Sequence, residues 1–255
     1  MGGDMTLTGK HALITGGGTG IGLAIASALQ GAGADVTITG RRANVLEAAA
    51  ETHGLHALVM DVQNEASVAD GIAGAVAARG PIQICVPNAG IAEGRTLHKM
   101  DMAFWRNMMA TNLDGTFLTI RESLKSMHQT DWGRVIAISS IAGLRGLKGA
   151  PCYTASKHAM IGLIRGLAAD YLGKPYTFNA ICPAYVDTDI VPQNIDRIMA
   201  RTGMSEDDAR AVMVGANPHG RLITPEEVAE AVLWLCAPNS GSVNGQAIQI
   251  AGGEF

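Results

Sequence analysis

His11-Ala12-Leu13-Ile14-Thr15-Gly16-Gly17-Gly18-Thr19-Gly20-Ile21-Gly22 is the stretch whose reading decides the fold. A short, mostly apolar β-prone run passes directly into a glycine-rich turn, and the turn opens an Ala/Leu-rich segment, Gly20–Ala32, with helical spacing. Outward from this strand-loop-helix unit the same rhythm continues. The candidate strands are His11–Thr15, Asp35–Gly40, Leu55–Met60, Ile82–Pro87, Gly133–Ser139, Tyr176–Cys182 and Gln246–Ile250. Between them, helical patterns occupy Gly20–Ala32, Asn64–Arg79, Met102–Met127, Tyr153–Leu172 and Pro225–Cys236, the last entered through Thr224-Pro225 as cap and first turn. Strands alternating with helices predict a parallel sheet covered on both faces. The fold class is α/β: one doubly wound, seven-stranded Rossmann domain over residues 1–255.

Composition agrees with one large core. The 255 residues are 47% hydrophobic and 16% charged, and the 32 glycines follow no collagen period. A domain of this length buries about 70% of its extended-chain surface. With 19 basic and 23 acidic residues the net charge is -4 and no window concentrates Lys or Arg, which excludes a nucleic-acid partner. Cys85, Cys152, Cys182 and Cys236 lie far apart without metal-ligand spacing, so they read as reduced core thiols and no metal is expected. Neither a signal-like N-terminus nor a long uncharged apolar run occurs. The expectation is a cytoplasmic protein that does not enter membranes.

The glycine turn has a chemical meaning in this context. Its glycines let the backbone approach a pyrophosphate, and the helix that follows offers free N–H groups with a partial positive charge. Gly16, Gly18, Thr19, Gly20, Ile21 and Gly22 are therefore candidate nucleotide contacts. The second strand ends in Thr39-Gly40-Arg41-Arg42, with no acid where the ribose 2′-OH of NAD is commonly bound. An Arg at that place pairs with a 2′-phosphate, so Arg41 favours NADP(H); a merely solvated Arg pair would leave NAD(H) open. Asp61-Val62 and Asn88-Ala89-Gly90 end the third and fourth strands, at carboxyl ends where such sheets bind ligands.

Tyr153 and Lys157 lie one turn apart on a predicted helix. A nearby ammonium favours the phenolate, which makes a tyrosine usable as a general acid/base. Ser140 ends the fifth strand and Asn112 sits in Thr111-Asn112-Leu113-Asp114-Gly115. With Pro183, Val186 and Thr188 after the sixth strand, these spaced motifs make the chain resemble short-chain dehydrogenase/reductases over essentially its whole length.

That resemblance implies roles for the matching residues. Tyr153 would exchange a proton with the substrate oxygen while hydride passes between cofactor and carbon. Ser140 would hydrogen-bond the same oxygen. Lys157 would lower the Tyr153 pKa and hold the nicotinamide ribose, and Asn112 would position a water leading to Lys157. Pro183, Val186 and Thr188 would border the nicotinamide. Two departures from the family pattern, Pro87 before Asn88 and Ala184 after Pro183, remove no catalytic group. The resemblance also implies a homotetramer built on the long central helices and the last strand. A nucleotide sensor without chemistry would have little need of Asn112, Ser140, Tyr153 and Lys157 together.

Residues 187–221 interrupt the rhythm and predict a helical substrate lid. This segment is similar to the lid of D-3-hydroxybutyrate dehydrogenases. Those enzymes anchor a carboxylate with polar groups where this chain has Ala92, Ala142 and Ala150. An unpaired buried carboxylate is costly, so a small keto acid is disfavoured. The expected pocket wall is Ala92, Ala142, Leu144, Leu147, Cys152 and Tyr185, with Ile190, Val191, Ile195 and Met199 from the lid. Such a lining suits an uncharged hydrophobic or aryl ketone and its secondary alcohol. The alternatives are a 3-oxoacyl thioester reductase or 3-hydroxyacyl dehydrogenase, with Arg95, Arg145 and Lys148 near the rim, and a D-3-hydroxybutyrate dehydrogenase-like enzyme using NAD(H).

Overall fold

Seven parallel strands form one sheet in the order β3-β2-β1-β4-β5-β6-β7 in this computed structural model, which describes residues 6–188 and 190–253. They are β1 (His11–Thr15), β2 (Asp35–Gly40), β3 (His56–Val59), β4 (Ile82–Val86), β5 (Gly133–Ile138), β6 (Tyr176–Pro183) and β7 (Ala247–Ile250). The order reverses between β1 and β4, and this switch point opens a crevice at the carboxyl ends of the central strands. The expected doubly wound Rossmann architecture is the one observed, with strand ends displaced by a residue or two.

Strand alternation divides the core into two layers. Ala12 and Ile14 of β1, with Ile84 and Val86 of β4, meet helices α1 (Gly20–Gly31), α2 (Ala43–His53) and α9 (Pro225–Cys236). Leu13 and Cys85 point the other way, towards α3 (Glu65–Arg79), α5 (Gly115–Met127) and α6 (Pro151–Asp170). Each large apolar side chain so buried contributes about 1.5–3 kcal/mol.

Local chemistry fixes the helix ends. Thr224 caps α9 in a capping box with Glu227, and Pro225 takes the first turn. Asn64 caps α3 by accepting from Ser67 N. Pro151 starts α6 ahead of the expected Tyr153, because a proline suits a first turn that needs no N–H partner. Helix α2 was not expected. Its Val-Leu-Glu-Ala-rich run does supply the crossover that parallel β2 and β3 require, and Gly54 ends it in the left-handed region at φ 66°. The single helix expected over Met102–Met127 is divided: α4 (Met102–Met109) and α5 are joined by a π-helical turn, Ala110–Asp114.

Helices α7 (Ile190–Thr202) and α8 (Glu206–Gly215) make up the excursion after β6. They enclose a small core of Val191, Ile195, Ala209, Met213 and Leu222, with Tyr185, Ile198 and Met199 packed on it. Among the described residues no helix is long and apolar enough to cross a membrane.

Candidate active site

The glycine loop is held from the neighbouring strand end. Asn88 Nδ2 donates to the carbonyls of Thr15 at 2.9 Å and Gly16 at 3.2 Å, while Thr15 Oγ1 accepts from Asn88 N and Ala89 N. This stitching leaves no room for side chains. Gly16 stands at φ 64°, and a Cβ on Gly22 would run into the Gly16 carbonyl oxygen and lie 2.5 Å from Asn88 Nδ2. Thr19 precedes α1 without a side-chain cap, so the N–H groups of the first turn, at Gly20, Ile21 and Gly22, face the loop.

Beside the loop is a cleft of about 240 Å³. Gly16, Gly18, Thr19, Arg41, Asp61, Val62, Ala89 and Gly90 line it, as expected from the sequence. Arg42, Val45, Gln63, Ile91 and Thr111 line it too and were missed, because they carry no motif: Arg42 and Val45 come from the start of α2, Gln63 and Ile91 from the loops after β3 and β4, and Thr111 from the π turn. Gln63 Nε2 donates to Thr111 Oγ1 at 2.7 Å, closing the floor. Arg41 and Arg42 are exposed and form no ion pair among the described residues. Thr39, in the same wall, has a buried Oγ1 with no hydrogen-bond partner. A close-packed glycine cradle, an uncapped helix start and two unpaired guanidinium groups fit a phosphorylated dinucleotide.

The catalytic candidates adjoin the Gly90 wall of this cleft, where a Cβ on Gly90 would lie 3.3 Å from Asn112 Oδ1 and 3.7 Å from Lys157 Nζ. Ser140 follows β5 and its Oγ accepts from Ala142 N at 3.1 Å. Lys157, 4% exposed, donates from Nζ to the Ile138 carbonyl at 2.8 Å and lies 5.9 Å from the centre of the Tyr153 ring. Asn112 is fully buried on the π turn. Its Oδ1 accepts from Ile91 N at 2.8 Å and its Nδ2 donates to Ile91 O at 3.0 Å and Ser156 Oγ at 3.0 Å, which ties the 88–91 loop to α6. A π turn re-aims a side chain that a regular helix would place elsewhere, and such turns cluster at functional sites.

Electrostatics at the site follow burial. Burial pushes the Tyr153 phenol above its ordinary value; the Ser140 hydroxyl pulls it back, and Tyr185 and Cys182 push it further up. The same burial brings Lys157 down to about 8. In the chain by itself the Lys157 ammonium is held on the Ile138 carbonyl beside the Tyr153 ring, and the Ser140 hydroxyl lowers the pKa of the Tyr153 phenol. All four cysteines are free and buried, and burial drives Cys85 and Cys236 to about 12.

Comparison with known proteins agrees with this geometry. Residues 10–198 match the short chain dehydrogenase family. The chain belongs to that family. Over 99% of its length this short-chain dehydrogenase is 33% identical to the 3-oxoacyl-[acyl-carrier-protein] reductase FabG of Aquifex aeolicus, which it covers completely. It is 35% identical to the acetoacetyl-CoA reductase of Rhizobium meliloti, over 96% of this chain and 98% of that one. A solved structure of an actinorhodin polyketide ketoreductase variant with NADPH superposes with a TM-score of 0.92 at 30% identity, covering 99% and 98% of the two chains. The dehydrogenase is thus an oxidoreductase acting on hydroxyl and ketone groups.

The residues expected to form the apolar substrate wall of the dehydrogenase lie at different depths. Ala142 and Cys152 are buried, Ala142 inside the turn that Ser140 caps and Cys152 with its Sγ 3.9 Å from the Trp105 carbonyl. Val191 and Ile195 are turned into the lid's own core, where Met199 also packs. Apolar helix faces meet one another before they meet solvent, so Val191 and Ile195 are buried while Met199 keeps accessible surface. Ala92, Leu144, Leu147 and Tyr185 keep accessible surface, while the side chain of Ile190 lies outside the described residues. Pro183 ends β6, Val186 bridges Ile223, and the Thr188 methyl lies 3.2 Å from where a Cβ on Gly20 would stand. Asn217 was missed at the base of the lid. Its side chain, 1% exposed, bonds both the N–H and the carbonyl of Tyr185, at 3.1 and 2.9 Å.

Proposed function

We propose that this chain catalyses reversible hydride transfer between NADP(H) and a ketone or its secondary alcohol that carries no carboxylate beside the reacting carbon. The observation that carries this reading is the grouping of Ser140, Tyr153 and buried Lys157 next to Gly90, which lines a cleft that also presents Arg41 and Arg42. The bound dinucleotide supplies the hydride. Gly16–Gly22 and the start of α1 hold its phosphates, Asp61 and Val62 border the base, and Arg41 meets the 2′-phosphate. Asn88, Ala89, Gly90, Pro183, Val186 and Thr188 frame the nicotinamide half.

Tyr153 gives its phenolic proton to the carbonyl oxygen as hydride reaches the carbon, and takes it back in the oxidation direction. Ser140 donates a hydrogen bond to the same oxygen. Lys157, close to its neutral point, supplies positive charge beside the phenolate and a route for the returning proton. Asn112 acts as a positioning residue, holding the Gly90–Ile91 backbone against Lys157.

A second reading narrows the ketone to the 3-oxo group of an acyl thioester. Relatives of that activity at 33% and 35% identity favour it, and the alanines at 92, 142 and 150 suit a reacting centre without charge. The deciding experiment is initial rates with NADPH and NADH on an aryl ketone, acetoacetate and acetoacetyl-CoA. NADPH-dependent turnover of the first or third is expected. Turnover confined to acetoacetate with NADH overturns the proposal. We also infer a cytoplasmic homotetramer, supported by exposed Met102, Phe117 and Trp234 on α4, α5 and α9; sedimentation as a monomer at assay concentration overturns the assembly.

A further inference from the structure

Residues 184–188 leave the sheet and residues 217–223 return to it, and one side chain joins the two. Asn217 follows α8 and is 1% exposed. Its Oδ1 accepts from Tyr185 N at 3.1 Å, and its Nδ2 donates to Tyr185 O at 2.9 Å and to Arg221 O at 2.8 Å. The amide thus behaves as an extra peptide group inserted between two chains. The Tyr185 carbonyl also accepts from Ile223 N at 3.0 Å, Asp187 N donates to Ile223 O at 2.8 Å, and Val186 pairs with Ile223 as a parallel bridge. Tyr185 is therefore held at both backbone groups, more firmly than the helices beyond it require. Its ring packs on the lid core, and Tyr185 disfavours ionisation of the Tyr153 phenol.

We propose that Asn217 is a positioning residue whose buried amide clasps Tyr185, fixing the Tyr185 ring beside the reacting carbonyl and so setting which ketone substituents the enzyme accepts. The proposal rests on the functional reading above. Among the described residues, Val191, Ile195, Ala209 and Met213 of α7 and α8 are engaged with one another, so discrimination falls to the segment that runs from Pro183 past the catalytic phenol. Replacing the amide acts on Tyr185 and leaves the glycine loop, Asn88 and Asn112 untouched.

The test uses the full-length protein with Asn217→Ser, which shortens the side chain, and Asn217→Asp, which keeps the shape but sets carboxylate oxygen against the Tyr185 and Arg221 carbonyls. The readouts are kcat/KM with NADPH for a small and a bulky ketone, the Kd of NADPH, and hydrogen exchange at Tyr185 and Ile223. In both variants the ratio of the two kcat/KM values should change by about tenfold or more, since a displacement near 1 Å at a reacting group is enough for such an effect. NADPH affinity should stay within about twofold, and exchange at both amides should accelerate. In a Tyr185→Ala background, Asn217→Ser should leave the substrate ratio unchanged, because the two sites then act as one. An unchanged ratio in the single variants, an equal change in the Tyr185→Ala background, or a parallel loss of NADPH binding overturns the positioning role. Unchanged exchange overturns the clasp itself. Wild-type protein that turns over no ketone breaks the functional reading, and turnover with an unaltered ratio breaks only the inference.

Discussion

At the nucleotide end of the cleft, Asn88 stitches a glycine loop so tightly to the neighbouring strand that Gly22 has no space for a Cβ. At the lid end, Asn217 performs a similar stitching, but the chain it secures carries two amphipathic helices around a private core. One asparagine closes a site where backbone must touch a ligand; the other anchors a segment that only has to stay in place. The first arrangement admits few residue types. The second admits any apolar set that fills the same volume.

Four experiments break or sharpen that contrast. The largest effect is expected where the two ends meet. Tyr153→Phe should lower kcat by about 10²–10⁴-fold, as loss of a general acid/base does, with NADPH affinity nearly unchanged in a fluorescence titration. Equal loss of both would move Tyr153 from chemistry to binding. Next, Gly22→Ala should cost about 1–3 kcal/mol through overpacking against the Gly16 carbonyl and Asn88. The resulting fall in Tm, about 2–4 °C per kcal/mol, should come with weakened NADPH binding; binding as tight as wild type would show that the loop yields.

Ile195→Ala in the lid core should cost about 2–5 kcal/mol locally, yet appear mainly as faster proteolysis after β6 and a raised KM for the ketone. A global loss of Tm as large as that of Ile14→Ala would make the lid part of the main cooperative unit. The smallest effect belongs to the lid's exit, where the Arg221 guanidinium and the Thr224 N–H hold the Glu227 carboxyl down at about 2. A carboxyl lowered in the folded state stabilises fully above the ordinary carboxylate range and loses that contribution as pH falls towards 2. Because the pair is exposed, Glu227→Gln should lower Tm by only about 1–2 °C at pH 7, with the difference vanishing near pH 2. A deficit that persists in strong acid would locate the effect in the helix cap rather than the charge.

The contrast also explains what could be read from residues alone. The strands, the glycine loop and the Tyr153–Lys157 spacing were legible because each is set along a short stretch of chain: apolar β-prone runs, a glycine-rich turn between strand and helix, and one helical turn between phenol and ammonium. Helix α2 escaped because Arg41-Arg42 drew the reading towards ligand binding, although Gly54 marks its end. The π turn escaped because an extra backbone residue leaves no compositional trace. Ala142, Cys152, Val191 and Ile195 are all buried, but apolar spacing tells that a face will be buried and not which surface will bury it.

What the sequence determined by itself is the part of this dehydrogenase governed by short-range sterics and by spacing along single elements: the parallel sheet, the phosphate cradle and the pairing of a phenol with an ammonium one turn away. What the tertiary structure decided is every relation across elements. It holds Lys157 on the Ile138 carbonyl and sets Tyr153 beside the Ser140 hydroxyl that lowers its pKa; it carries Thr111 and Gln63 into the cleft and uses Asn217 to fasten the lid to Tyr185. The reason is physical. Hydrogen bonds and burial at these positions join residues tens of places apart, and their energies depend on distances and dielectric that only the packed chain sets.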